Sequence, residues 1–153
     1  MPSLSIRPCS IADLQSAPNI GDLMAEYSAE SSIHDLGQVS AQWETYKAMA
    51  EAGVLHPFAV FDGDSALAGF MLLIISVLPH YGLPIAVSES FFVTESIRKT
   101  GAGIRLLREA ERFAVDRGAI GMLVSSPVGG RLASILPRSG YKATNEVFFR
   151  RLA

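Results

Sequence analysis

The segment from Ser88 to Gly118, SESFFVTESIRKTGAGIRLLREAERFAVDRG, constrains the chain more than any other. It reads as a strand, a tight turn and a helix. Ser88–Val93 ends in Phe91, Phe92 and Val93, an apolar strand end. Thr94–Thr100 is polar and turn-like. Gly101, Ala102 and Gly103 then open a helix. Leu106, Leu107, Ala110, Phe113 and Ala114 recur there at helical spacing and form one apolar face. Gly118 suits the left-handed cap that ends it. A strand followed by such a helix calls for a parallel strand beyond it, joined by a right-handed crossover. Ile120–Ser125, IGMLVS, fills that place.

The turn itself has a chemistry. The first amides of a helix lack internal partners and carry the positive end of the helix dipole. Glycine removes the Cβ that would hold an anion away. Arg98 and Lys99 add positive charge beside it, so the turn suits a phosphate or pyrophosphate. A Walker loop needs Gly-Lys-Ser/Thr after a longer glycine loop, and the chain has none. A dinucleotide fingerprint needs a third glycine where Leu106 stands. What remains is Arg98-x-x-Gly101-x-Gly103.

In that pattern, and in the strand and helix around it, the sequence resembles the GNAT family, the Gcn5-related acyl-CoA-dependent N-acyltransferases. The resemblance implies one domain over residues 1–153 with an α/β (α+β) fold. It implies a mixed central sheet of about six to seven strands flanked by about four helices. It also implies acetyl-CoA as acyl donor. The coenzyme A pyrophosphate would lie on the backbone of Arg98, Lys99, Thr100, Gly101, Ala102, Gly103 and Ile104. The acyl-pantetheine arm would insert where the fourth and fifth strands splay, with the acyl carbonyl near the amides of Phe91, Phe92 and Val93.

The rest of the chain fits this layout. Leu4–Arg7 alternates as a short strand before Pro8, and Ser10 or Asp13 can cap the next helical segment. Ile20, Leu23, Met24 and Tyr27 share a helical face. Ala29–Ser40 is a polar loop, and Ser40 is placed to cap a helix over Ala41–Ala52. His56–Phe61 and Ser65–Leu78 read as a hairpin around Asp62-Gly63-Asp64, and the long apolar run implies burial on both faces. Ile85–Val93 is the next strand. Arg131–Ser139 reads as a helix closed by Gly140-Tyr141, and Thr144–Leu152 as a final strand.

Amide formation from a thioester needs a neutral amine, so a general base helps. Glu89 is a lone carboxylate in an apolar strand, and the resemblance puts it near the catalytic glutamate of some relatives. Alternation places Glu89, Phe91 and Val93 on one face. His80, in the turn before that strand, is a second candidate base. Many relatives protonate the leaving thiolate with a tyrosine four residues before the closing glycine; here that position is Leu136. Tyr141, Ser134 and Ser139 are the replacements to consider. By position in the family, His34 and Asp35 fall on the acceptor side. The alternative to an enzyme that acetylates a primary amine of a small molecule or protein is a catalytically silent acyl-CoA-binding sensor or interaction module.

Composition sets the outer bounds. The formal charge is -2 and no basic stripe lies outside Arg98–Arg112, so nucleic acid is not an expected partner. No metal is expected. Cys9 is the only cysteine, which excludes an intrachain disulfide. Ala66–Leu78 is too apolar for a surface segment but too short to span a bilayer. The first residues lack a charged start and an apolar core, so a cytoplasmic location is expected. The partners expected are acetyl-CoA, an amine acceptor and, in a homodimer, a second copy.

Overall fold

The computed structural model of the protein describes residues 3–153. Among them a five-stranded sheet runs in the order β1 (Leu4–Pro8), β2 (Leu55–Asp62), β3 (Ala66–Leu78), β4 (Leu83–Val93) and β5 (Met122–Leu123). The first three pairings are antiparallel and β4–β5 is parallel. Gly63 supplies the positive φ, 69°, that the β2–β3 turn requires. The helix α4 (Ala102–Asp116) makes the crossover from β4 to β5 and covers one face. The helices α1 (Ile11–Gln15), α2 (Ile20–Ser31) and α3 (Trp43–Glu51) belong to the other face, and a short α5 (Arg131–Ile135) follows β5.

Two hydrophobic layers result, and β3 feeds both. Met71 and Leu73 pack with Ala86, Leu106, Leu107 and Ala110 beneath α4. Phe70 and Leu72 pack with Ile11, Leu14, Leu23 and Phe92 beneath α1 and α2. This explains the uninterrupted apolar run: Leu67–Leu73 is buried at every position because each face of the strand is covered. Gly69 lies opposite Val93, and a Cβ there would come within 2.8 Å of the Phe92 carbonyl oxygen. Glycine therefore sets the close approach of β3 and β4. At the N-terminal edge Ser10 caps α1, and the Asp13 carboxylate accepts back from the Ser10 amide, a closed capping box.

The structure corrects the sequence reading in three places. Ser40 is not a helix cap; α3 begins at Trp43, and the Gln42 side-chain amide donates to the Ser40 carbonyl at 3.0 Å. The fifth strand shrinks from Ile120–Ser125 to Met122–Leu123, because beyond Leu123 the chain leaves the ladder and the Ser125 amide turns to the Ser88 hydroxyl at 3.1 Å. Thr144–Leu152 forms no strand, so the described sheet has five strands and not six to seven. Val147, Phe148 and Leu152 stand in solvent, and Arg151 donates to the Asp35 carbonyl at 2.5 Å. Strand propensity acts only where a pleated neighbour receives the side chains. The tail finds none.

Candidate active site

The phosphate-type turn is built mostly of backbone. β4 runs into a 3₁₀ turn over Glu95–Thr100, and Gly101 then adopts φ 82°, the left-handed conformation that lets α4 start in a new direction. The Thr100 hydroxyl donates to the Ile97 carbonyl at 2.6 Å and receives the Ala102 amide at 3.3 Å. Among the described residues the Gly103 and Ile104 amides find no acceptor. A Cβ on Gly103 would touch Val93 at 3.5 Å, an ordinary contact, so the fold does not require glycine there. Lys99 is exposed beside this turn.

Arg98 is placed differently from the sequence expectation. Its Nε donates to the Val93 carbonyl at 3.0 Å, its Nη2 meets Glu30 at 2.5 Å, and its guanidinium lies 5.6 Å from the Phe92 ring centre. With its side chain 16% exposed, it clasps α2 to the end of β4. Glu26, one helical turn before Glu30, accepts from the Thr94 hydroxyl at 2.6 Å and the Glu95 amide at 2.9 Å. The two α2 glutamates thus hold the entry to the turn. Sequence reading missed them; their i,i+4 spacing was the available signal.

The decisive local feature of β4 is a bulge. Leu72 lies opposite Ser90 and Leu73 opposite Ser88, so Glu89 is an extra residue in the ladder. The expected alternation is therefore broken. Phe91 and Val93 pack toward α4, while Glu89 joins Ser90 on the face covered by α2 and α3. The bulge sits just past the last β4–β5 pair, Val87 with Leu123, where the parallel strands part. Phe92 pairs with Phe70 across the antiparallel ladder, and no fifth-strand residue pairs with β4 from Ser88 to Val93.

Glu89 borders a cavity of about 170 Å³ walled by Tyr27, Trp43, Tyr46, Phe70, Met24 and Leu72, among others. Tyr46 donates its hydroxyl to Glu89 at 2.9 Å. Burial, and then the Glu89 charge, hold both the Tyr46 and Tyr27 hydroxyls above the ordinary phenol range, so both stay protonated. Ser90, 8% exposed, also lines the cavity, and its Oγ has no hydrogen-bond partner. Val39 closes one side, its amide fixed to the buried Ser28 hydroxyl at 2.8 Å. Trp43 and Tyr46 were readable as an aromatic face of α3. Ser90 gave no signal, because the bulge that orients it has none.

The other candidates lie apart. His80 stacks on Tyr81 in the β3–β4 turn, about 20 Å along β4 from Glu89 at roughly 3.4 Å per residue. Tyr141 donates to Glu111 at 2.9 Å, about 13 Å along α4 from its start. Burial, then the Glu111 bond and charge, raise its hydroxyl pKa. Leu136 is buried in the layer under α4. His34 and Asp35 form an exposed 3₁₀ turn; His34 borders an outer groove between α2 and Gly37–Val39, not the cavity. The Cys9 thiol, which burial above all pushes up to about 12, is not a nucleophile at neutral pH. No group of three His, Cys, Asp or Glu among the described residues is arranged to hold a metal.

No protein-family model matches the sequence, and no curated protein matches it. Solved structures do match its shape along nearly the whole chain. A GNAT family acetyltransferase of Staphylococcus aureus subsp. aureus USA300_TCH1516 shares 18% identity over 98% of this chain and 99% of its own, with a TM-score of 0.65. This is the GNAT fold. An aminoglycoside acetyltransferase from an uncultured soil metagenomic sample, in complex with sisomicin, matches at 16% identity over 98% of this chain and 97% of its own, TM-score 0.73. A transcriptional regulator from Bacillus halodurans C-125 matches at 16% identity over 97% and 99%, TM-score 0.76. Within the GNAT fold the bulge, the parting of β4 from β5 and the glycine turn all lie along one strand and its exit.

Proposed function

We propose that the protein is an acetyl-CoA-dependent N-acetyltransferase that acts on a primary amine by direct attack on the thioester. One observation carries this reading. The bulge sets Glu89, a solvent-exposed carboxylate, at the rim of an aromatic cavity where β4 and β5 part, on the strand that ends at the glycine turn. The turn fits a pyrophosphate: Gly103 and Ile104 present unpaired amides, Gly103 leaves room, and Lys99 is exposed beside them. Bound acetyl-CoA supplies an activated acyl carbon and a leaving thiolate.

The chain's own residues do the rest. The Glu89 carboxylate takes a proton from the ammonium, directly or through a water, and the freed amine forms the C–N bond as the C–S bond breaks. The nitrogen's second proton passes through water while the departing thiolate is protonated by solvent. Tyr46 donates to that carboxylate and holds its orientation. No acid is assigned to the leaving thiolate, since Leu136 is buried and the Tyr141 hydroxyl is directed to Glu111. A thiol pKa near 8.5 lets the thiolate depart unassisted. Cys9, buried and protonated, argues against an acyl-enzyme intermediate.

The test is thiol release from acetyl-CoA by the purified protein with a panel of primary amines, with the acetylated amine identified by mass. Amine-dependent release supports the reading. Acetyl-CoA binding without release from any amine supports the second reading, an acyl-CoA-binding module, which the buried Leu136 and the likeness to a transcriptional regulator favour.

A further inference from the structure

The cavity beside Glu89 has an unusual balance of groups for an amine site. Its walls are aromatic and aliphatic, and among the described residues Glu89, exposed at its rim, is the one charged residue that lines it. The neighbouring groove, bordered by Gly21, Ser28, His34 and Gln38 among others, has no carboxylate in its lining either. A ligand with several ammonium groups would find one counter-charge at the rim, and the apolar walls offer its other cations no partner. A ligand with one ammonium and an apolar body would match on both counts. Its cation pairs with Glu89 and lies near the faces of Trp43 and Tyr46, which attract cations. Its body replaces water on Tyr27, Phe70 and Leu72.

We propose, on the footing of the acetyltransferase reading above, that the acceptor is a small primary monoamine carrying an apolar or aromatic group, and not a polycationic sugar. The volume, about 170 Å³, is close to the roughly 150 Å³ of a cavity that holds benzene, so it admits a body of about one aromatic ring. Ser90 adds a selective element. Its hydroxyl is buried without a partner at the cavity wall, and a site with an unpaired polar group favours a ligand that supplies one. A ring hydroxyl on the amine's body is the substituent that meets this need. The solved aminoglycoside acetyltransferase of similar fold binds sisomicin. The charge of this cavity points away from that kind of ligand.

The chain contains a single tryptophan, and Trp43 lies in the cavity wall. Its fluorescence reports binding without acetyl-CoA and without turnover. Three probes decide the question: 2-phenylethylamine, ethanolamine and sisomicin, titrated into the intact protein at pH 7. The proposal expects a saturable Trp43 change for 2-phenylethylamine, with affinity at least about tenfold above the other two. Glu89→Gln should weaken 2-phenylethylamine by about tenfold while leaving neutral 2-phenylethanol unchanged. Equal or tighter binding of sisomicin or ethanolamine overturns the proposal, as does the absence of a saturable response to 2-phenylethylamine. Thiol release on sisomicin alone overturns it and leaves the acetyltransferase reading standing. Selective binding of 2-phenylethylamine with no release from any amine upholds the cavity assignment and removes the acetyltransferase reading.

Discussion

The two ends of the β4 segment from Glu89 to the α4 start are built on opposite principles. At the exit, a turn presents backbone amides from one contiguous stretch, with glycine opening the space and Thr100 fixing the shape. At the bulge, a cavity draws side chains from α2, α3, β3 and β4, residues far apart in the chain. The turn is built from backbone and depends little on which side chains surround it. The cavity depends on which side chains are present. On the proposed reading, the backbone turn would recognise the donor and the side-chain cavity the acceptor.

The comparison can be broken from the turn side first. Gly103→Val places methyls where the phosphate approaches and should weaken acetyl-CoA by at least about 100-fold, the scale of losing two bonds to a charged group. The Cβ meets only Val93 at contact distance, so the melting temperature should hold and the Trp43 response to amines should be unchanged. Calorimetry with acetyl-CoA and fluorescence with an amine separate the two readouts.

Arg98→Gln tests the other claim about this turn, that the arginine is a clasp and not a phosphate ligand. Losing the Glu30 pair and the bond to the Val93 carbonyl should destabilise the fold by about 1.5–3 kcal/mol in chemical denaturation. Acetyl-CoA affinity of the folded fraction should change far less than in Gly103→Val. A large affinity loss at unchanged stability would return Arg98 to the phosphate site.

On the cavity side, Tyr46→Phe removes the hydrogen bond to Glu89 and keeps the ring. Turnover should fall by about 2–10-fold, matching a bond of roughly 0.5–1.5 kcal/mol, with acetyl-CoA affinity unaltered.

The smallest effect lies away from both regions. His56 packs on Phe113 under α4, and burial, followed by the Arg117 charge, lowers its pKa. The unfolded chain then binds a proton more readily than the folded one. The contribution of His56 is thus complete above about pH 6.5 and declines as pH falls through the lowered folded value. His56→Gln should flatten the acid side of the melting-temperature profile by about 1–3 °C and leave specific activity unchanged.

How much of this was legible obeys the same division. Gly101 and Gly103 are visible because the turn is local and its residues are consecutive. The crossover and the core face of α4 are visible because Leu106, Leu107, Ala110 and Ala114 keep one period. Glu89 could be singled out as a carboxylate among apolar neighbours, but not its direction, since a bulge shifts the register with no composition of its own. The pairing of Arg98 with Glu30 was not legible, because Glu30 is far off in sequence. Thr144–Leu152 looked like a strand because its residues have the propensity; the missing neighbour lies outside the segment.

The central claim is that Glu89, set at the rim of the cavity by the bulge, deprotonates the acceptor amine. The pH dependence of kcat/KM for Glu89→Gln beside the parent, on any accepted amine, tests it most directly. A general base at Glu89 predicts a fall of about 10²–10⁴-fold at neutral pH, partial recovery at high pH where free amine is abundant, and unchanged acetyl-CoA affinity. A profile for Glu89→Gln that overlays the parent across the whole range would contradict it.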